Sequence, residues 1–182
     1  MKTNLNFKKN IKIYKAKKYK NNNEIKKDYN KQGFVSLKNY IPHKIIKSVK
    51  NDINKVSKSF FSNKDFLSLI SYLDKRNKKK LHSLHLLVSK IQSLKTLNLN
   101  LSKFNKIIYP KKNIYYISDG LLLGLSKDKR LTYDFHQETN YMKNFYDILN
   151  IHYPIFFKSN LKNGSMSALM GSHKEGKLKY TK

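Results

Sequence analysis

The amino-terminal half of the sequence repeats apolar residues at steps of three and four, which is the period of an amphipathic helix. The clearest run follows Pro42, a residue tolerated in the first turn of a helix, and its lysines lie on the opposite face. Its apolar positions are Ile45, Ile46, Val49, Ile53, Val56 and Phe60. A second run, which Asn63 can cap, and a third run across residues 81–97 follow. The pattern predicts helices over about residues 42–101, with a basic linker at 76–80.

After Pro110 the period changes to short apolar runs separated by turns, such as the one at Asp119-Gly120, which indicates a hairpin. A further short strand is expected at 33–37, before the helices. The other predicted strands cover residues 113–118, 121–125, 131–137, 147–157 and 166–169. Helices followed by strands predict an α+β fold with segregated layers, and a jelly-roll barrel under the helices satisfies this order.

With 182 residues, the chain has the size of a single domain. It contains no cysteine, so disulfides and thiolate metal sites are excluded. No run of 18 apolar residues is present, and we expect no membrane span, no signal peptide and a cytoplasmic location. Residues 1–30 are rich in lysine and asparagine and are expected to form a flexible basic tail. The remaining residues, 31–182, are expected to form the folded domain.

The net charge of +28 favours polyanionic partners, yet Arg76 and Arg130 are the only arginines among 39 basic residues. Dedicated nucleic-acid binders rely on arginine for bidentate phosphate and base contacts. Abundant lysine, asparagine, isoleucine and tyrosine are typical of a preference for A/T-rich codons. We therefore interpret most of the charge as solvated lysine, which attracts nucleic acid weakly and without sequence specificity.

Candidate chemistry lies at His136 and Glu138, within Phe135-His136-Gln137-Glu138-Thr139-Asn140-Tyr141. On a strand, side chains two residues apart share a face, so both can point at one cation. An imidazole and a carboxylate supply two of the three ligands of the facial triad that holds non-haem Fe(II). Either His152 or His173 is an alternative third ligand, whereas His82 and His85 are interpreted as structural.

Several segments occur in an order found in one enzyme family. His136-Gln137-Glu138 is followed by Tyr141, then by an Asn163-Gly164-Ser165 turn, and then by Met170-Gly171-Ser172-His173-Lys174-Glu175-Gly176. Upstream, Gly33-Phe34-Val35 precedes Pro42. Over about residues 31–176 the sequence resembles the phytanoyl-CoA dioxygenase family of Fe(II)- and 2-oxoglutarate-dependent oxygenases.

The resemblance implies a double-stranded β-helix, Fe(II) held by His136 and Glu138, 2-oxoglutarate and O2 as co-substrates, and hydroxylation of a small lipid- or sugar-like metabolite. Tyr153 and Arg130 are weak candidates for binding the co-substrate. Family members carry aspartate at the place of Glu138 and proline at the place of Met170. Their distal histidine and arginine lie tens of residues beyond the Gly-Ser-His motif, so with Lys182 as the last residue we expect an incomplete site.

Three functions remain open at this point. The first is the oxygenase, the second is a folded family member without catalytic activity, and the third is a basic RNA-associated protein. The third has charge and tyrosines in its favour but lacks a binding motif such as that of an RRM. Neither the substrate nor the oligomeric state follows from the sequence.

Overall fold

The protein is described by a computed structural model over residues 14–61, 63–113, 135–141, 148–160 and 165–176. Within these ranges the helices are α1 (Asn22–Gln32), α2 (His43–Phe60), α3 (Phe66–Arg76), α4 (Lys78–Ser89) and α5 (Gln92–Ile108). Single 3-10 turns lie at Glu138–Asn140 and Ser172–Glu175. None of the described helices has the length and hydrophobicity needed to cross a bilayer.

The predicted helix after Pro42 is confirmed as α2, with Pro42 at its N-cap. The second predicted helix is confirmed as α3, which buries four apolar residues, Phe66, Leu69, Ile70 and Leu73. Its cap is Asp65 rather than Asn63, because the Asp65 carboxylate accepts the Ser68 backbone N–H at 3.1 Å. Asn63 instead lies in the left-handed region, with φ +55°.

The predicted third helix over 81–97 is two helices, because the chain turns at Lys90 and Ile91. Ile91 is extended, and α5 begins behind it at Gln92. The basic linker expected at 76–80 shrinks to Asn77, which ends α3 and also caps α4 by accepting the Lys80 N–H at 3.0 Å. A single asparagine therefore joins two helices that pack against each other.

The main core lies among α2, α3, α4 and α5, and α2 contacts each of the other three. Its completely buried residues come from every one of these helices: Val49, Ile53, Leu69, Leu84, Val88 and Leu97. Burying a side chain of this size contributes roughly 1.5–3 kcal/mol, so these contacts stabilise the arrangement more than the caps do. Ser57 of α2 is completely buried, and it donates its hydroxyl to the Ile53 carbonyl at 2.8 Å.

The end of the stretch expected to be a flexible tail forms α1. Asn21 caps this helix by accepting the Glu24 N–H at 3.0 Å, and Ile25 packs against Phe104 and Ile108 of α5. Residues 14–20 precede it as an extended N-terminal arm, which pairs with Leu37 through an isolated parallel bridge at Lys17. Residues 1–13 of the expected tail lie outside the described residues.

The predicted α+β fold with a jelly-roll barrel is wrong. In the described part of the chain the regular structure is helical, there is no sheet, and the bridge between Lys17 and Leu37 is the one β-type pairing. The predicted strands at 147–157 and 166–169 show no regular structure where they are described. The hairpin expected at 113–118 and 121–125, and residues 131–134 of the next strand, lie almost entirely outside the described residues.

Packing on helices, and not pairing in a sheet, explains why apolar and polar residues alternate over 149–155. Ile151, Tyr153 and Ile155 pack onto the helical core instead of onto a sheet. Phe156 stacks on Phe66 of α3, with ring centroids 5.3 Å apart and 22° between the planes. An extended segment needs only one apolar face to lie across helices, so alternation does not require a β-ladder.

Candidate metal site at His136 and Glu138

The His-x-Glu pair, His136 and Glu138, lies where an extended segment enters a 3-10 turn. Gln137 between them is extended, with φ −106° and ψ 135°, and Glu138 opens the turn, which closes with the Tyr141 N–H donating to the Glu138 carbonyl at 3.0 Å. His136 Nε2 and Glu138 Oε1 are 3.5 Å apart. The proximity expected of a strand is thus produced by an extended residue followed by a turn.

Tyr141 lies beside the pair. Its ring meets the His136 ring edge to face, with centroids 5.2 Å apart and 74° between the planes. The His136 and Glu138 side chains are 23% and 36% exposed, so both are partly accessible to solvent. Tyr141 itself is 60% exposed and shields only part of the imidazole.

The donor set of the pair fits two positions of a metal coordination sphere. Nitrogen and oxygen ligands bind divalent metals at about 2.1 Å, so two donors at right angles lie about 3 Å apart. The observed 3.5 Å needs only a small side-chain movement to reach this value. The described residues contain no cluster of three or more metal-binding side chains, so the fit covers two ligands of a triad.

A hydrogen bond over 39 positions joins the pair to the family-like Gly-Ser-His segment, residues 170–176. Gln137 Nε2 donates to the Gly176 carbonyl at 2.8 Å. Gly176 has φ +68° and ψ −159°, a conformation that a side chain would strain. Gln137 lies between the two candidate ligands, so this contact places the residues on either side of it next to the end of that segment.

His173 of the same segment docks on the end of α1 and not on the pair. Its Nε2 donates to the Asn30 carbonyl at 3.0 Å, which requires a proton on that nitrogen. The Gly171 N–H donates to the Gln32 carbonyl at 2.9 Å. Two carbonyls that the helix end leaves without internal partners are thereby bonded, so His173 caps α1 and is not the third ligand.

The remaining candidates take no part in the pair. His152 is exposed, and His82 and His85 on α4 belong to no metal-binding cluster among the described residues. The Tyr153 hydroxyl donates to Asn98 Oδ1 of α5 at 3.0 Å, a packing contact with the helices. Arg130 lies outside the described residues.

Sequence reasoning brought His136 and Glu138 together but missed both the bond from Gln137 and the cap by His173. Each joins residues far apart in sequence, and local patterns carry no signal for them. No family model, no curated protein and no solved structure matches this chain.

Proposed function

We propose that the chain binds Fe(II) through His136 and Glu138, as two ligands of a 2-oxoglutarate-dependent oxygenase centre acting on a small organic metabolite. The observation that carries the proposal is the 3.5 Å separation of the imidazole nitrogen and the carboxylate oxygen. A second support is the bond from Gln137 to Gly176, because it joins the two segments on which the resemblance to the phytanoyl-CoA dioxygenase family rests.

Each residue has a defined role in this proposal. His136 supplies a neutral nitrogen ligand, Glu138 an anionic oxygen ligand, and Gln137 fixes the backbone between them. Iron with 2-oxoglutarate and O2 would supply the oxidising chemistry that hydroxylates a carbon–hydrogen bond. A third protein ligand and a cationic group for the 2-oxoglutarate carboxylate would come from outside the described residues, and no barrel is part of the proposal.

Anaerobic titration of the 182-residue chain with Fe(II), measured by isothermal calorimetry, tests the pair directly. We expect one weak, saturable site that His136→Ala and Glu138→Ala each abolish. Glu138→Asp introduces the shorter carboxylate that is typical of the family, and this variant should retain binding. The matched controls are His82→Ala and Glu175→Ala, which remove an exposed imidazole and an exposed carboxylate elsewhere. Equal binding by all variants, or no saturable site in the wild type, would contradict the proposal.

Succinate formation from 2-oxoglutarate separates the catalytic alternative from the inactive one. Two ligands without a third hold iron loosely, so iron binding without succinate release would assign this chain to the inactive alternative. Robust succinate release that requires both His136 and Glu138 would instead assign catalysis to the chain itself. Succinate release that survives both alanine substitutions would place the iron elsewhere and overturn the assignment of the pair.

A further inference from the structure

The junction of α3 and α4 carries a strongly basic surface that shares no residue with the His-x-Glu pair. Five of the six residues at 75–80 are basic. Asp74 is the only acidic residue between Phe66 and Ile108, a span that contains nine basic residues. The first turn of α4 contains three lysines and no acid, which is unfavourable at the positive end of a helix dipole. An anion near this junction would offset that repulsion.

Two aromatic rings hold three of the neighbouring cations in place. We call this group the cation–aromatic cluster: Phe61, Lys64, Tyr72, Arg76 and Lys80. The Phe61 and Tyr72 ring centroids are 5.5 Å apart, with 33° between the planes. Lys64 Nζ and Arg76 Cζ lie 5.6 Å and 5.0 Å from the Tyr72 centroid, and Lys80 Nζ lies 5.3 Å from the Phe61 centroid.

The rings already restrict these long side chains in the free protein. The side chains therefore lose less conformational entropy when they bind an anion. Cation–π attraction holds each charge near a ring and leaves its N–H groups available for other acceptors. All three cations belong to exposed residues, whereas both rings belong to residues of intermediate burial. The nearby Asp65 carboxylate already accepts the Ser68 hydroxyl at 2.8 Å and the Ser68 N–H at 3.1 Å. The cluster is therefore a preorganised set of donors for phosphate oxygens.

Arg76 makes the cluster more than a patch of lysines. It is one of two arginines among 39 basic residues, so a general enrichment in lysine does not account for it. Its guanidinium lies over Tyr72, and a planar guanidinium is itself a surface on which an unpaired base can stack. In the proposed complex a base lies on the face of the Arg76 guanidinium that is turned away from the Tyr72 ring, whose centroid is 5.0 Å from Arg76 Cζ. Hydrogen-bond donors for phosphate oxygens that lie beside a stacking plane fit a single strand better than a lone phosphate or a duplex.

We propose that the cation–aromatic cluster binds single-stranded nucleic acid, with Lys64, Arg76 and Lys80 on the phosphodiester backbone and a base stacked on the Arg76 plane. The site shares no residue with the proposed iron pair, so either can fail without the other. The binding is expected to be independent of sequence, because stacking and phosphate contacts are made by every nucleotide.

Fluorescence anisotropy with a short labelled oligouridylate, measured over a series of salt concentrations, tests this site. The triple variant Lys64→Gln, Arg76→Gln, Lys80→Gln should weaken binding about tenfold or more. It should also reduce the slope of log affinity against log salt by about 2, at about 0.7 for each lost contact to a single strand. Tyr72→Leu keeps the charge but removes the ring that holds Lys64 and Arg76, so it should weaken binding about fivefold with the salt slope unchanged.

The control variant Lys47→Gln, Lys95→Gln, Lys103→Gln removes the same charge from α2 and α5 and should change affinity by less than about twofold. Equal losses in the two triple variants would overturn the proposal, because a diffuse field would then explain the binding. A duplex of the same length that binds as tightly as the single strand would also overturn it. So would loss of binding to anionic phospholipid vesicles in the cluster variant while its oligonucleotide affinity is unchanged. Far-UV circular dichroism will show whether each variant is folded. If Tyr72→Leu does not fold, the triple variants still test the proposal, because their substituted residues are exposed.

Discussion

At the residue scale, Gly33 shows how a local sequence signal was assigned to the wrong structure. The sequence predicts that Gly33 begins a strand, because Phe34 and Val35 follow it. In the structure it ends α1 with φ +84°, and its N–H donates to the Tyr29 carbonyl at 2.7 Å. A glycine just past an amphipathic run is the usual C-terminal stop of a helix. The signal for α1 was therefore present between Asn21 and Gly33, but the high charge of that stretch obscured it.

Gly33→Ala should destabilise the protein by more than the cost of the left-handed backbone alone. That backbone costs about 1–2 kcal/mol for a residue with a side chain. In addition, a Cβ at Gly33 would lie 2.5 Å from His173 Nδ1, so the docked imidazole would have to move. Chemical denaturation measures the loss.

Gly171→Ala separates these two costs. Gly171 has φ +82°, and a Cβ there meets nothing within 4 Å, so its substitution reports the backbone cost alone. We expect the loss at Gly33 to exceed the loss at Gly171 and to fall to the same level in a His173→Ala background. Equal losses in all three measurements would show that His173 does not pack on the end of α1.

At the element scale, the helices α2 and α3 were predictable, whereas the alternation within 147–157 was wrongly assigned to a strand. The helices α2 and α3 follow from a three- and four-residue period that one element satisfies by itself. The alternation at 149–155 was ambiguous, because period two says that one face is buried but not what covers that face. The same limit applies to the candidate site. The spacing of His136 and Glu138 predicted their proximity, whereas the contact from Gln137 to Gly176 depends on a chain path that no local pattern encodes.

Phe156→Ala tests whether the extended segment is packed on helices. Phe156 is partly buried and stacks on Phe66, so its loss should cost roughly 1–3 kcal/mol, less than for a completely buried phenylalanine. Its neighbour Phe157 is 64% exposed, and Phe157→Ala should change the free energy of unfolding by no more than about 0.5 kcal/mol. Equilibrium denaturation followed by far-UV circular dichroism measures both. A larger effect at Phe157 than at Phe156 would mean that the segment faces the helices the other way round.

At the scale of the whole molecule, charge is the dominant property, with 39 basic residues against 11 acidic ones. Because acidic residues are few, each ion pair between a carboxylate and a lysine offsets part of the repulsion between neighbouring basic segments. Asp28 forms such an ion pair and so joins the N-terminal arm to α1. Its Oδ2 contacts Lys17 Nζ and accepts the Tyr19 hydroxyl at 3.1 Å. The sequence predicted the excess charge, but it could not show which of its few carboxylates is used in this way.

The pH dependence of stability should reveal this arm. The hydrogen bond from Lys17 holds the pKa of Asp28 below its ordinary value of 3.8, despite an opposing effect of burial. Since the folded state binds this proton less tightly than the unfolded state, the contribution is complete above pH 3.8 and is lost as pH falls through the lowered pKa. Burial, followed by the bond to Asp28, raises the pKa of Tyr19 to about 12. That contribution is complete below the ordinary tyrosine pKa of 10.0 and is lost as pH rises through about 12.

Asp28→Asn should therefore destabilise the protein at neutral pH, and its difference from wild type should shrink as pH falls below 3.8 and the wild-type carboxylate becomes protonated. The control is Asp52→Asn, which also removes one negative charge but breaks only a 3.9 Å contact with Lys55. Chemical denaturation at a series of pH values and at constant ionic strength measures both variants. General repulsion within the basic chain predicts the same loss for the two substitutions, whereas a docked arm predicts a larger, pH-dependent loss for Asp28 alone. A loss at Asp28 that persists unchanged in acid would mean that its carboxylate does not hold the arm through charge.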